Sequence, residues 1–278
     1  MKPSVWSINN IPAFCITLER RSDRWKRFQD QSGIEQINVK RFIGVDGKTI
    51  NINTDDRVST LTKRNIITKS RRSHEELDSI GGVGCALSHI AVWQWMVDQN
   101  QEMCLVFEDD AIVSPNFVTK SNEIIQKSSI LKDPKHWDIW LLGGTWDDLS
   151  SIPNETTKTG LIRIKAFVLF HAYVITLNAA KRLLKDVYPI HCHIDIWVSI
   201  YSYLNDLRIV GTTDMKLIQN QKTKTDIQTE KGCEICNIPT DYEKDYKLVT
   251  KTEWKIAKTS EYLCIGLIAY IVYRQYIK

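Results

Sequence analysis

Three carboxylates, Glu108, Asp109 and Asp110, stand in a row directly after an apolar run at 104–107. Adjacent like charges repel, so a cation is the natural partner for such a cluster. Hard divalent ions such as Mg2+ and Mn2+ take oxygen ligands, and they combine one or two carboxylates with substrate phosphates. On a strand that runs on through Asp110, the two-residue pleat puts Glu108 and Asp110 on one face and Asp109 on the other. Spacing alone leaves three uses open: a sugar-nucleotide site, a two-metal phosphoesterase or nuclease, and plain capping of the next helix.

Other residues of chemical interest lie on either side. Gly81, Gly82 and Gly84 precede Ser88 and His89, and glycines at a helix N-terminus let backbone approach an anion closely. The segment lacks the Gly-Lys-Ser/Thr of a P-loop. His191, His193 and Asp195 alternate along an extended stretch and so share a face, as zinc ligands or as a pocket rim, while Asp195 is also a favoured cap for the apolar helix pattern at 196–204. Cys233 and Cys236 form a C-x-x-C pair without the second pair that a structural zinc site needs, which makes them two free thiols. Residues 57–72 carry six Lys and Arg and no acid, the pattern of a solvated loop or of a basic flap over an anionic ligand.

The elements that must position these groups alternate. Short apolar runs at 13–18, 38–45, 103–108, 137–144 and 166–176 read as strands. Helical spacing follows at 22–33, with Ser22 and Asp23 as cap and Gly33 as stop, and again at 85–99, 115–129 and 178–187. Strands buried on both faces read as continuous apolar runs, so the pattern predicts an α/β fold with a mostly parallel central sheet flanked by helices. Ligands of such sheets bind beyond the carboxyl ends of the strands.

The chain has 278 residues, of which 43% are hydrophobic, enough for one substantial core. A net charge of +4 is small for this length and gives no reason to expect a nucleic-acid partner. Seven scattered cysteines suit reduced thiols, and the N-terminus lacks the apolar core of a signal peptide, so a cytoplasmic protein is expected. The lone sequon at Asn154 is then incidental. An apolar stretch at 262–273 is about half of what a spanning helix needs. It reads as a docked terminal helix or as a weak membrane attachment, with Arg274 and Lys278 beyond it.

A set of motifs in order, "CITLERRSDRWKRF", "RFIGVDGK", "GGVGCALSHIAVW", "LVFEDDA", "WDIWLLGG", "HAYVITLNAAKRLL" and "HIDIWVS", resembles glycosyltransferase family 25 across residues 13–228. That family includes bacterial lipopolysaccharide galactosyltransferases and procollagen galactosyltransferases. The resemblance implies a GT-A-like (Rossmann-like) catalytic domain at 11–230, followed by a C-terminal extension at 231–278 with an apolar tail helix. It also implies a UDP-sugar donor of galactose or glucose, Mn2+ or Mg2+, inversion at the anomeric carbon, and a glycan, glycolipid or protein acceptor. Carried onto this chain, Glu108 and Asp110 are the metal residues. Thr17, Arg20, Arg24, Asp46, Gly84, Ser88, His89, Glu108 and Asp109 surround the donor, and Asp195 is the catalytic base. The family's late element matches 216–228 and points to Gln219, Gln221, Thr225 or Asp226 as closing the site. A non-catalytic relative that binds glycans or acts as a scaffold is the other reading of the same motifs.

Overall fold

Alternating apolar and amphipathic segments fold as the pattern predicts. The computed structural model describes residues 6–71, 73, 75–213 and 218–220. The chain divides after Glu230, and every described residue belongs to the first unit, Met1–Glu230. Arg72, Gln221, Thr225, Asp226, Cys233, Cys236 and the apolar stretch 262–273 lie outside the described residues. The elements in order are β1 (Ala13–Thr17), α1 (Ser22–Gln29), β2 (Val39–Ile43), α2 (Thr60–Thr68), α3 (Ile80–Asp98), β3 (Met103–Glu108), β4 (Ala111–Val113) and α4 (Phe117–Lys127). They continue with β5 (Ile139–Ser151), α5 (Glu155–Thr159), β6 (Leu161–Thr176), α6 (Leu177–Asp186), α7 (Ile194–Asn205), β7 (Ile209–Thr212) and β8 (Ile218–Asn220).

Among the described residues, six strands form one sheet in the order β2-β1-β3-β6-β5-β7, and β4 pairs with β8 in a small second sheet. β1 is parallel to β2 and β3, β5 is parallel to β7, and β6 is antiparallel to β3, β5 and β7. Five strands therefore point the same way around one reversed strand, and the sheet is mostly parallel. Its core is double, because each strand sends alternate residues to opposite faces. Phe14, Cys104, Val106, Tyr173 and Ile175 join α3, α6 and α7 on one face. Cys15, Leu105, Phe107, Ala172 and Val174 join α1 and α4 on the other. A fully buried side chain such as Leu105 contributes about 1.5–3 kcal/mol. Helix α3 is apolar enough over its 19 residues to cross a membrane by composition, yet it is the central core helix, with Val83, Val92, Trp93 and Met96 fully buried.

Several local expectations are corrected. The glycines do not precede α3 but form its first turns, because Ser79 caps the helix by accepting from the Gly82 N–H at 3.2 Å. Arg21 occupies the cap position of α1, where its side chain bonds Asp23 rather than capping the helix, which leaves Ser22 as the first helical residue. Gly33 lies in a later 3-10 turn rather than at the helix end. A Cβ there would fall 2.5 Å from the Ser114 carbonyl oxygen, so close packing against the start of α4 selects glycine. The basic segment is not an open flap: it contains α2, with Thr62 and Asn65 fully buried beneath it. β5 and β6 extend well past the apolar runs expected at 137–144 and 166–176 as a long bulged hairpin, whose outer part pairs Asp148–Ser151 with Ile162–Ala166.

Candidate active site

The strand order reverses between β1 and β3, and crevices at such switch points take ligands. A cleft opens there at the carboxyl ends of β1, β2 and β3. It is walled by Thr17 and Leu18, by Val45–Lys48, by Gly81, Cys85, Ser88 and His89 of α3, and by Glu108–Asp110. The acidic run does not continue as a strand. β3 ends at Glu108 and the chain turns at Asp109 and Asp110 before β4, so the pleat argument for their directions gives way to turn geometry. Gln31 fixes β4 from behind, donating to the Ala111 carbonyl at 2.9 Å and accepting from the Val113 N–H at 2.7 Å.

Each of the three carboxylates meets a different fate. Asp109 is buried, accepting from the Thr17 hydroxyl at 2.8 Å and from Arg24 Nη1 at 2.9 Å. This answers why a third acid stands in the run: it ties β1 and α1 to the turn, and it uses Thr17 and Arg24 to do so. Glu108 faces His89 Nε2 at 3.3 Å. Burial opposes its ionisation, but the His89 hydrogen bond and the positive charges around it outweigh that cost and hold its pKa below the ordinary carboxylate value. A carboxylate can only accept, so Nε2 carries the proton of this contact. Asp110 differs from both, because its buried Oδ1 has no hydrogen-bond partner. Burial first, and then repulsion from Glu108 and Asp109, push its pKa up to about 7.

His89 is anchored from behind, with Nδ1 2.9 Å from the Tyr173 hydroxyl and Trp93 Nε1 donating to that same hydroxyl at 3.0 Å. All three side chains are fully buried, so the ring presents one fixed edge to the cleft. Sequence reading did not single out Tyr173, Cys85 or His171. His171 is buried one residue before Ala172, which pairs with Phe107, and it feels the Glu108 charge; burial lowers its pKa. Its visible signal was the polar interruption of an otherwise apolar strand.

On the wall formed by the loop after β2, Arg20 Nε bonds Asp46 at 2.6 Å, and Asp46 accepts from the Lys48 N–H at 3.1 Å. Burial opposes ionisation of Asp46, but Arg20 and Lys48 outweigh it and lower its pKa. Ser88 is used structurally as well as lining the cleft: it donates to the Gly84 carbonyl at 2.6 Å and accepts from the Val45 N–H at 2.8 Å. Gly84 does not line the cleft. A Cβ there would sit 2.6 Å from the Val45 carbonyl oxygen, so its glycine lets α3 pack against the loop after β2, and Gly81 faces the cleft instead.

Asp195 lies in the first turn of α7, while His193 holds the cap position without a side-chain capping bond. The expected helix cap is thus not Asp195. Its Oδ2 accepts from the Leu169 N–H at 2.8 Å, and Leu169 adopts a left-handed φ of 71°, a strained conformation held in the bulged hairpin. Asp195 is near enough for its charge to raise the pKa of Cys85 on the cleft wall, after burial. His193 turns toward Arg71, with Nε2 3.3 Å from Nη1, and Arg71 also meets Asp78 at 3.6 Å. His191 is exposed and contacts the Pro189 carbonyl, so His191, His193 and Asp195 do not converge on one point. Gln219 is exposed on β8, paired with Ile112.

A family model described as glycosyltransferase family 25 (LPS biosynthesis protein) matches residues 10–198, which carry the whole acidic turn, the α3 wall and Asp195. The chain belongs to glycosyltransferase family 25. A glycosyltransferase 25 family member of Anopheles gambiae is 28% identical over 175 residues, covering 62% of this chain and 28% of that protein. Procollagen galactosyltransferase 2 of Mus musculus is 32% identical over 178 residues, covering 61% of this chain and 27% of that one. A probable inactive glycosyltransferase 25 family member 3 of Bos taurus is 27% identical over 186 residues, covering 66% and 30%. This family 25 chain spans less than a third of the length of each of these relatives.

Proposed function

We propose that this chain is an inverting, metal-dependent glycosyltransferase that moves a hexose, galactose first and glucose second, from a UDP-sugar to a hydroxyl of a glycan, glycolipid or protein. One observation carries the reading: the switch-point cleft ends at Asp110, a carboxylate with a buried, unpartnered oxygen. An orphaned buried acceptor costs about 1–3 kcal/mol, and a hard divalent cation removes that cost by taking the oxygen as a ligand. The donor set fits Mn2+ or Mg2+, with Asp110 and Glu108 as the residues to hold it. Such an ion, when bound, neutralises charge on a departing diphosphate.

The chain's own residues do the rest. His89, locked by Tyr173 and Trp93, keeps Glu108 ionised and aimed into the cleft. Asp109 fixes the turn so that Asp110 is not free to swing away. Arg20 and Lys48 place positive charge along the wall that a nucleotide diphosphate would follow. Asp195 is the base that takes the acceptor hydroxyl proton as that oxygen attacks the anomeric carbon, and the Leu169 N–H orients its carboxylate for the task. Because one mammalian relative is named as probably inactive, family membership alone does not carry activity, and the test must address these residues.

UDP-galactose and UDP-glucose binding, read by thermal shift with and without Mn2+, is expected to require the metal. Asp110→Ala is expected to abolish the metal-dependent part, and metal-dependent binding that survives this change sinks the proposal. Asp195→Ala is expected to keep donor binding and lose about 10²–10⁴ in transfer rate, with the product anomer read by NMR.

A further inference from the structure

The same cleft wall holds a set of ligands of quite different chemistry. Cys85 and His89 lie four residues apart on α3, so they share a helix face, and both look toward Glu108 at the end of β3. The Cys85 sulfur, a His89 ring nitrogen and a Glu108 oxygen lie within 4.8 Å of one another. We infer that Cys85, His89 and Glu108 form a site for a borderline, thiol-seeking metal ion such as Zn2+, distinct in chemistry from the all-oxygen site at Asp110.

Tetrahedral zinc takes sulfur at about 2.3 Å and nitrogen or oxygen at about 2.0–2.2 Å, which needs the three atoms to close by roughly an ångström. Rotation of the Cys85 and Glu108 side chains, both only partly buried, supplies such a movement while the His89 ring stays in place. Three protein ligands leave a fourth position open, and because all three line the cleft, that position faces a ligand rather than packed protein. The shell behind is already built. With Nε2 on the metal, His89 carries its single ring proton on Nδ1 and donates it to the Tyr173 hydroxyl 2.9 Å away, whose remaining lone pair accepts from Trp93. The Cys85 thiol proton is released to solvent as the sulfur–metal bond forms. Thiolate and imidazole favour zinc over magnesium or manganese, whereas Asp110 offers only oxygen. Glu108 is common to both sets, so zinc there competes with the hard cation; that consequence rests on the transfer function proposed above, but the site itself does not.

Cobalt(II) titration of the reduced 278-residue chain tests the site directly, because tetrahedral thiolate cobalt gives visible d–d bands and a near-ultraviolet charge-transfer band. The work is done in a Cys233→Ser, Cys236→Ser background, which removes the C-x-x-C pair as a competing thiol ligand. One equivalent of cobalt, displaced by zinc, is expected to give both bands. Cys85→Ala is expected to abolish the charge-transfer band and weaken metal binding at least about tenfold, while Asp110→Asn leaves the band in place. Absence of the band in the starting background, its survival in Cys85→Ala, or its loss in Asp110→Asn each overturns the inference.

Discussion

Asp138, fully buried, and Asp110, half-buried with one buried oxygen, are carboxylates at opposite ends of the same sheet, and they are treated in opposite ways. Asp138 precedes β5 at its amino end and is 0% exposed, yet it accepts from the Arg208 backbone N–H at 2.8 Å, from Arg208 Nε at 2.9 Å and from Asn178 at 3.3 Å, with Arg182 at 3.5 Å. Burial opposes its ionisation, but these donors prevail and its pKa is lowered. Asp110, beyond the carboxyl end of β3, has an oxygen with no partner and a pKa near 7. What separates them is the supply of donors. A buried acid whose lone pairs are all filled holds the fold, and one left short is placed for something the chain does not itself provide.

The largest test of that contrast is Asp110→Asn, expected to cost about 10²–10³ in metal-dependent transfer while leaving the metal-free protein as stable or more stable, since a repelled charge is gone. Asp138→Asn should do the reverse: a loss of about 3 kcal/mol in urea unfolding, because two arginines lose their anion, with metal-dependent donor binding retained in the folded fraction. Equal stability losses from both changes would break the comparison. Stability against pH sharpens it further. Asp110 has a folded pKa of about 7 against an ordinary 3.8, so the folded state binds the extra proton and stability falls as pH rises through that window. Mn2+ should flatten this slope by favouring the ionised form, and Asp110→Asn should remove it. Asp138, with its pKa depressed, contributes stability that is present above the ordinary carboxylate range and is lost as pH falls through its folded value. The smallest effect expected is from Thr17→Val, which removes one of the bonds to Asp109 and should cost about 1 kcal/mol by thermal denaturation.

Much of this molecule was legible in its residues. The apolar runs that became β1 and β3, the acidic end of β3 and the helix bearing Ser88 and His89 are local patterns, and short-range geometry alone makes strands and helices of them. Local pattern misled where backbone sterics or distant partners prevailed: the turn at Asp109, the glycines inside α3 and the docked α2. The long β5–β6 hairpin was half hidden because the buried Leu161, Ile162 and Ile164 of β6 alternate with Arg163 and Lys165, and their β5 partners at 148–151 are mostly polar.

By itself, then, the sequence determined the order of elements and placed an excess of negative charge at one strand end, since both follow from neighbours along the chain. Only the tertiary structure decided how that charge is shared. Asp109 is claimed by Thr17 and Arg24, which lie 92 and 85 residues away, and Glu108 by His89, whose own orientation depends on Tyr173 a further 84 residues along. The Asp110 oxygen is left over, and Cys85 is brought beside His89 and Glu108, through packing contacts that no local spacing encodes. A hydrogen bond depends on distance in space, and only the folded sheet sets which distant side chains come within reach of one another.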